Sequence, residues 1–318
     1  MFLVSNEAMM QEAILSGVAG CFPSLNFRQP GTLEGLISRL HDFREANRDK
    51  NGSFGVNLIV QKTNPLYAEH LEICISKKVP FFITSLGNPH EVIEKAHAYG
   101  AKVFCDVTNL THAKKCYDLH ADGFIAVGQG AGGHAGPFPL SILVPALKKN
   151  FPEKPVIAAG GIANGHAILA MLAAGAEAVS IGTRFIASEE ATVSNEYKQA
   201  ILDSGMNDIV LTTRISGTPC TIINTPYAKK IGYSQNAFEK FLGKNPKTRK
   251  YFKMLVQIRG MKKLEKAVRP GSYENLWCAG QSVEMINDIK PCSLIISELL
   301  KETGLAYQEL KDKVILPG

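Results

Sequence analysis

No run of apolar residues in this 318-residue chain reaches the ~18 needed to cross a bilayer, and no charged-then-apolar leader opens it. The seven cysteines, at 21, 74, 105, 116, 220, 278 and 292, are odd in number and never spaced as CxxC. That excludes the usual zinc and disulfide frameworks and points to a reducing compartment. No carboxylate pair and no HxxxH spacing supports a metal, so no metal site is expected. Lysines crowd positions 240–266, but the few aromatics among them, Tyr251 and Phe252 included, do not interleave regularly. Without a stacking platform for bases this stretch reads as a solvated helical face. The expectation is a cytoplasmic protein that engages neither membrane nor nucleic acid. A net charge of +6, 45% hydrophobic and 20% charged residues are ordinary for a soluble chain of one elaborated domain or two.

What is present is a rhythm. Short apolar runs at 18–24, 54–60, 79–85, 102–107, 122–127, 156–159 and 178–181 alternate with amphipathic stretches at 32–45, 66–78, 90–99, 110–120, 140–149 and 167–174. Near-continuous apolar strands alternating with helices mean parallel strands buried on both faces. The regular beat favours a closed (β/α)8 TIM barrel over a doubly wound open sheet. Seven strands are visible. Residues 1–5 (MFLVS) read as the end of an eighth, leading into a helix at 6–16, so the first barrel strand is truncated and its neighbours' edge needs cover. The beat stops after Phe185. Residues 190–274 read as an inserted helical cap, broken at 217–219 and 245–246, and residues 1–189 with 275–318 as the barrel. A last amphipathic helix is expected at 288–302.

Barrel ligands bind at the C-terminal ends of strands, so chemistry should appear there. The most informative stretch is Gly128 to Pro137 (GQGAGGHAGP), in which five of ten residues are glycine and one is His134. Glycine lets the backbone approach a ligand closely, and a lone imidazole in such a loop is placed for chemistry. Two further strand ends are glycine-rich: Gly160-Gly161 after 156–159, and Gly182-Thr183 after 178–181. On consecutive last strands they match the phosphate site of such barrels, with backbone N–H groups, the Thr183 hydroxyl and the following helix N-terminus as donors. Asn57 closes the strand at 54–60 and offers a carboxamide to a planar heterocycle, or serves as a turn residue. His166 follows the Gly160–Gly165 turn and reads as a residue of the helix start or as a neighbour of the phosphate. His41, His70, His90, His97, His112 and His120 lie in helical stretches and read as surface residues.

These motifs in this order, FGVN at 54–57, AGGH at 131–134, AAGGI at 158–162, IGTRF at 181–185 and LWCAGQS at 276–282, resemble the nitronate monooxygenase (2-nitropropane dioxygenase) family. The resemblance implies an FMN-dependent barrel with a helical substrate domain. It implies that Gly160, Gly161 and the segment Ser180, Ile181, Gly182 and Thr183 hold the FMN phosphate. It further implies that Asn57, Gln129, Gly132 and Gly133 line the flavin and that His134 is the catalytic histidine. Met1 would end the first strand beside the flavin, with Gln281 near the site on the returning segment. The chain departs from the family in one place: the two residues that commonly separate QG from AGGH, one of them glutamate, are absent between Gly130 and Ala131. Three activities stay open. One is oxidation of alkyl nitronates by O2 to a carbonyl compound and nitrite. The second is NAD(P)H-dependent flavin reduction of the enoyl-ACP reductase or quinone reductase type. The third is a phosphate-binding barrel without redox chemistry. A homodimer is plausible for any of them.

Overall fold

The computed structural model describes residues 1–61, 63–214, 218–234, 256, 260 and 275–314. The expected lysine-rich face at 240–266 and the breaks at 217 and 245–246 lie outside the described residues, apart from 256 and 260.

Seven parallel strands follow one another in chain order round one sheet. They are β1 (Ala19–Pro23), β2 (Ser53–Ile59), β3 (Phe81–Ser85), β4 (Lys102–Val107) and β5 (Gly123–Val127). After a two-residue strand β6 (Gly133–His134) that leaves for another sheet come β7 (Val156–Ala159) and β8 (Ala178–Ser180). The helices are α1 (Glu7–Leu15), α2 (Thr32–Ala46), α3 (Tyr67–Ser76), α4 (His90–His97), α5 (Leu110–Asp118), α6 (Leu140–Asn150) and α7 (Gly165–Ala173). Their ends lie within about two residues of the sequence expectation, as capping dictates. Asn6, Asn109 and Asn164 each accept a backbone N–H of the first turn of α1, α5 and α7.

The two faces of the sheet differ, which corrects the expectation of equal burial. Outward residues such as Phe22, Phe54, Phe82 and Phe124 are fully buried beneath the helices. Each contributes about 2–3 kcal/mol of transfer free energy. Inward residues such as Asn57, Ser85 and Asp106 retain partial access because the lumen opens at the strand ends. Deeper in the lumen the Phe81 ring occupies the space a side chain at Gly55 would need and meets Phe104 edge-on at 6.3 Å. An apolar plug thus underlies a polar layer.

Residues 1–5 form a turn, not a strand end, with Leu3 at φ 59°. The Asn26 side chain holds it, accepting from Leu3 N and donating to the Met1 and Ser5 carbonyls. Met1 also reaches the end of β8, its Sδ lying 3.6 Å from where a Cβ on Gly182 would be. The turn therefore spans the gap between the β1 and β8 edges that an eighth strand would fill.

Residues 190–234 are not wholly helical. Beside α8 (Asn195–Asp203) and α9 (Pro226–Ile231), strands β9 (Ile209–Thr212) and β10 (Cys220–Ile223) join β6 in an antiparallel sheet of order β6-β10-β9. The last helix, α10, runs Cys292–Lys313 rather than 288–302; Pro291 sets its start, and the Glu190 carboxylate accepts the Cys292 N–H. His70 is also not a surface residue: it is 3% exposed on the inner face of α3. His41 is half-buried, edge-on to Phe54.

Candidate active site

Three backbone segments stack on one another at the ends of β5, β7 and β8. A Cβ on Gly160 would lie 2.7 Å from Ala131 N, and one on Gly280 would lie 2.4 Å from Gly130 O. A Cβ on Gly132 would come within 2.9 Å of Thr183 Oγ1 and 2.8 Å of Gly280 N. Only glycine permits this approach. The fold therefore gathers Gly132 and Gly133, Gly160 and Gly161, Gly182 and Thr183, and the Gly280-Gln281 turn into one cluster, with Met1 against Gly182. Ser180 and Gln281 are exposed at its rim and Ile181 is half-buried. Gln129 is exposed on the same loop, its N–H held by Phe138 O at 2.8 Å. Asn57 stands across the lumen at the end of β2.

Two expected donors are already engaged. Thr183, 6% exposed, accepts the Gly280 N–H at 3.1 Å, so its hydroxyl ties the returning segment to the cluster and keeps only its own hydrogen to offer. The N-terminus of α7, expected to aid phosphate binding, is taken up by protein: Glu302 Oε2 accepts the Gly165 N–H at 2.9 Å, and Asn164 Oδ1 accepts that of Ala167. A carboxylate already satisfies the positive end of that helix. His166 is exposed and pairs with Glu309 on α10. Arg184 lies 6% exposed and donates to the Ala187 and Asp288 carbonyls and to Asp288 Oδ1, which makes it a tie between chain segments.

His134 is fixed from the second sheet. Its strand β6 pairs with β10, His134 opposite Cys220, and Thr221 Oγ1 donates to Ala131 O (2.5 Å) and Gly133 O (3.2 Å). The ring keeps access to solvent, yet dense protein surrounds it, and that burial lowers its pKa below 6.5. The two observations agree for a side chain facing a concave opening. Nothing in the sequence marked Thr221, whose Thr-Ile-Ile context resembles any apolar segment. Ser85 and Asp106, which sit with Asn57 on the lumen face, were equally unmarked. A separate depression, lined by His41, Arg44, Glu45, Arg48, Asn51 and Gly52, lies where β2 begins, away from these strand ends.

Fold and site together define a βα barrel with a cluster of glycine turns over its last strands and a histidine beside it. The chain belongs to the nitronate monooxygenase family, whose family model matches residues 37–302. Among solved structures, FabK from Thermotoga maritima is 31% identical, with a TM-score of 0.82 over 99% of this chain and 94% of that one. A nitroalkane oxidase from Streptomyces ansochromogenes, 22% identical with a TM-score of 0.76 over 96% of this chain and 94% of its own, shares the fold. Among curated proteins, a (3aS,4S,5R,7aS)-5-hydroxy-7a-methyl-1-oxo-octahydro-1H-indene-4-carboxyl-CoA dehydrogenase from Rhodococcus jostii is 33% identical over 183 residues. That match covers 58% of this chain and 51% of the relative, so the chain spans about half the length of that protein. A probable nitronate monooxygenase from Staphylococcus aureus is 29% identical over 75% of this chain and 67% of its own.

The family is one of flavin-dependent oxidoreductases, and the cluster fits such a group. Gly161 has φ +73°, and a Cβ there would meet nothing nearer than Gly130 Cα at 3.8 Å. The space beside its Cα is therefore open, which leaves room for a bound group at this turn. No helix among the described residues is long and apolar enough to cross a membrane.

Proposed function

We propose that this protein is an FMN-dependent oxidoreductase that oxidises alkyl nitronates with O2, giving a carbonyl compound and nitrite. The observation that carries the reading is the placement of His134, held by the β6–β10 pairing beside the stacked glycine segments, with burial lowering its pKa. Gly160 and Gly161, with Ser180, Ile181, Gly182 and Thr183, would hold the phosphate. Asn57, Gln129, Gly132 and Gly133 would line the ring, with Met1 and Gln281 at its edges. The flavin, when bound, supplies the electron acceptor. The protein supplies orientation and proton handling. A neutral imidazole at pH 7 takes the α-proton of a neutral nitroalkane, or donates its N–H to the oxygens of a nitronate already formed.

A second reading is favoured by the likeness to FabK over nearly the whole chain and by the missing pair of residues between Gly130 and Ala131. In it a flavin held by the same residues would supply the electron transfer from NAD(P)H to an unsaturated thioester or a quinone. The Rhodococcus relative, named for a carboxyl-CoA compound, lends the thioester some weight. Anaerobic spectra separate the readings. Bleaching of a bound flavin by ethyl nitronate alone supports the first, and bleaching by NADH alone replaces it with the second. A protein that binds no flavin under any condition leaves only the non-redox phosphate barrel.

A further inference from the structure

Three side chains on neighbouring strands form a directed hydrogen-bond chain across the lumen. Asn57 Nδ2 donates to Ser85 Oγ at 2.7 Å, and Ser85 Oγ donates to Asp106 Oδ2 at 2.5 Å. The remaining Asn57 amide hydrogen faces the Ile83 carbonyl at 3.4 Å. Among the described residues no cation stands beside Asp106. The titratable groups that sense it are thiols: Cys21 across the lumen on β1, Cys105 next to it on β4, and Cys116 on α5. The Met1 amine faces Cys21 in turn. Burial raises the Asp106 pKa to about 6, against the Ser85 hydrogen bond that lowers it.

The direction of this chain has a chemical consequence. A carboxylate has no hydrogen to give, so the Ser85 hydroxyl must point at Asp106 and can receive only an N–H from Asn57. Both amide hydrogens are then turned into the wall, and Oδ1 is the atom left for a ligand. A protonated Asp106 can donate instead. Ser85 is then able to turn its hydrogen to Asn57 Oδ1, and the carboxamide presents Nδ2 outward.

We propose that Asp106 is a positioning residue that acts through Ser85 to set the sense of the Asn57 carboxamide, so that the ionised form selects a planar heterocycle with a ring N–H donor at that edge. The assignment rests on the flavin reading for its ligand, the imide N–H of an isoalloxazine; the relay itself stands on the apoprotein. Reversing the amide against an unchanged ring leaves two like groups facing each other, which weakens binding by about tenfold.

The test is FMN binding by quenching of flavin fluorescence at pH 8 and pH 5, in the wild type, Asp106→Asn and Ser85→Ala. The phosphate of FMN titrates near pH ~6 as well, but equally in every protein, so the ratio of variant to wild type removes it. Asp106→Asn keeps a partner for Ser85 but carries no titrating proton, so it should lack the extra pH step whichever way its amide is turned. Between pH 8 and pH 5 the wild type should lose about tenfold more affinity than Asp106→Asn. Ser85→Ala should bind weakly at both. His134→Gln should keep the wild-type step, which separates that imidazole from the effect. On the apoprotein, the Asn57 side-chain amide resonance, assigned by its loss in Asn57→Asp, should move with a one-proton step in the wild type and stay fixed in Asp106→Asn. The same pH ratio in Asp106→Asn and wild type overturns the proposal, as does an Asn57 resonance that ignores pH. An apoprotein step without FMN binding in any protein retains the relay and overturns the flavin reading.

Discussion

Replacing Gly161 by alanine should weaken flavin binding about ten- to a hundredfold at a cost to the fold of about 1–2 kcal/mol, whereas the same change at Gly160 should destabilise the fold more. At Gly161 the new methyl meets only Gly130 Cα at 3.8 Å, and the backbone at φ +73° is left-handed. That conformation costs an L-residue about 1–2 kcal/mol. The methyl would, however, project into the space proposed for the phosphate and push its oxygens off the peptide N–H. A lost charge-assisted hydrogen bond is worth about 1.5–3 kcal/mol, or roughly ten- to a hundredfold in affinity. At Gly160, φ is +122° and the Cβ would sit 2.7 Å from Ala131 N, 3.0 Å from its Cα and 3.1 Å from its Cβ. Strain there is about 1–3 kcal/mol, and displacing backbone in a packed contact adds about 1–3 more. Urea unfolding of the two apoproteins, together with FMN titration, measures both quantities. Gly161→Ala binding FMN as tightly as the wild type would refute the proposed phosphate site, and equal destabilisation by the two changes would refute the distinction drawn between them.

His134→Asn should keep FMN bound and lose about 10²–10⁴-fold in turnover, the range for a proton-transfer residue; undiminished turnover removes it from the mechanism. Because burial lowers the His134 pKa, the neutral form needed for proton abstraction is present above the folded value and lost as pH falls through it. The acid limb of kcat should accordingly lie below pH 6.5 and disappear in the residual activity of His134→Gln. For Asp106 the sign is opposite: the folded pKa, about 6, exceeds the ordinary 3.8, so its contribution to stability is intact below 3.8 and lost as pH rises through 6. At 1.36 kcal/mol per pH unit that gap corresponds to about 3 kcal/mol. Asp106→Asn should therefore stabilise the apoprotein at pH 8 by up to that amount and change nothing at pH 4, as read from urea midpoints. Glu302→Ala should cost about 1 kcal/mol in the same assay by exposing the first turn of α7, and an unchanged midpoint would show that the Gly165 contact contributes nothing.

The barrel was legible because its signal is repeated. Seven apolar runs, the first six each followed by an amphipathic stretch, repeat one signal along the chain, and a two-residue error at one boundary changes nothing. The second sheet had no such support. Strand β10 is four residues, Cys-Thr-Ile-Ile, buried throughout, with no alternation to distinguish it from a helix turn, and its partner β6 is two residues inside a loop named for its glycines. Residues 1–5 misled for a related reason. An apolar pentapeptide has strand propensity, but a strand needs a ladder partner, and Asn26 takes up the backbone groups of this segment with its side chain instead.

The site divides along the same line. The glycines announced themselves by composition, and the structure shows why they cluster: three backbones pass closer than a Cβ permits. The donors assigned to the phosphate were harder, because sequence shows that a group exists without showing whether it is engaged. The first turn of α7 follows Gly-Gly as a phosphate helix does, yet the residue that satisfies it, Glu302, lies 137 positions away. Asp106 was hidden differently. Within KVFCDV it is one carboxylate in an apolar run, and a strand end tolerates a solvated aspartate. What identifies it is parity and register together. Phe104 and Asp106 share the inward face of β4, Ile83 and Ser85 that of β3, and Asn57 that of β2, with Ile83 opposite both Asn57 and Phe104 in the ladders. Alternation along one strand places a polar group inside or out, but only the stagger between three strands brings amide, hydroxyl and carboxylate into line, and stagger is fixed by the helices that join them. A polar residue at an inward strand end is therefore best read against its neighbours in the adjoining βα units, where Asn57, Ser85 and Asp106 appear as one chain rather than three isolated residues.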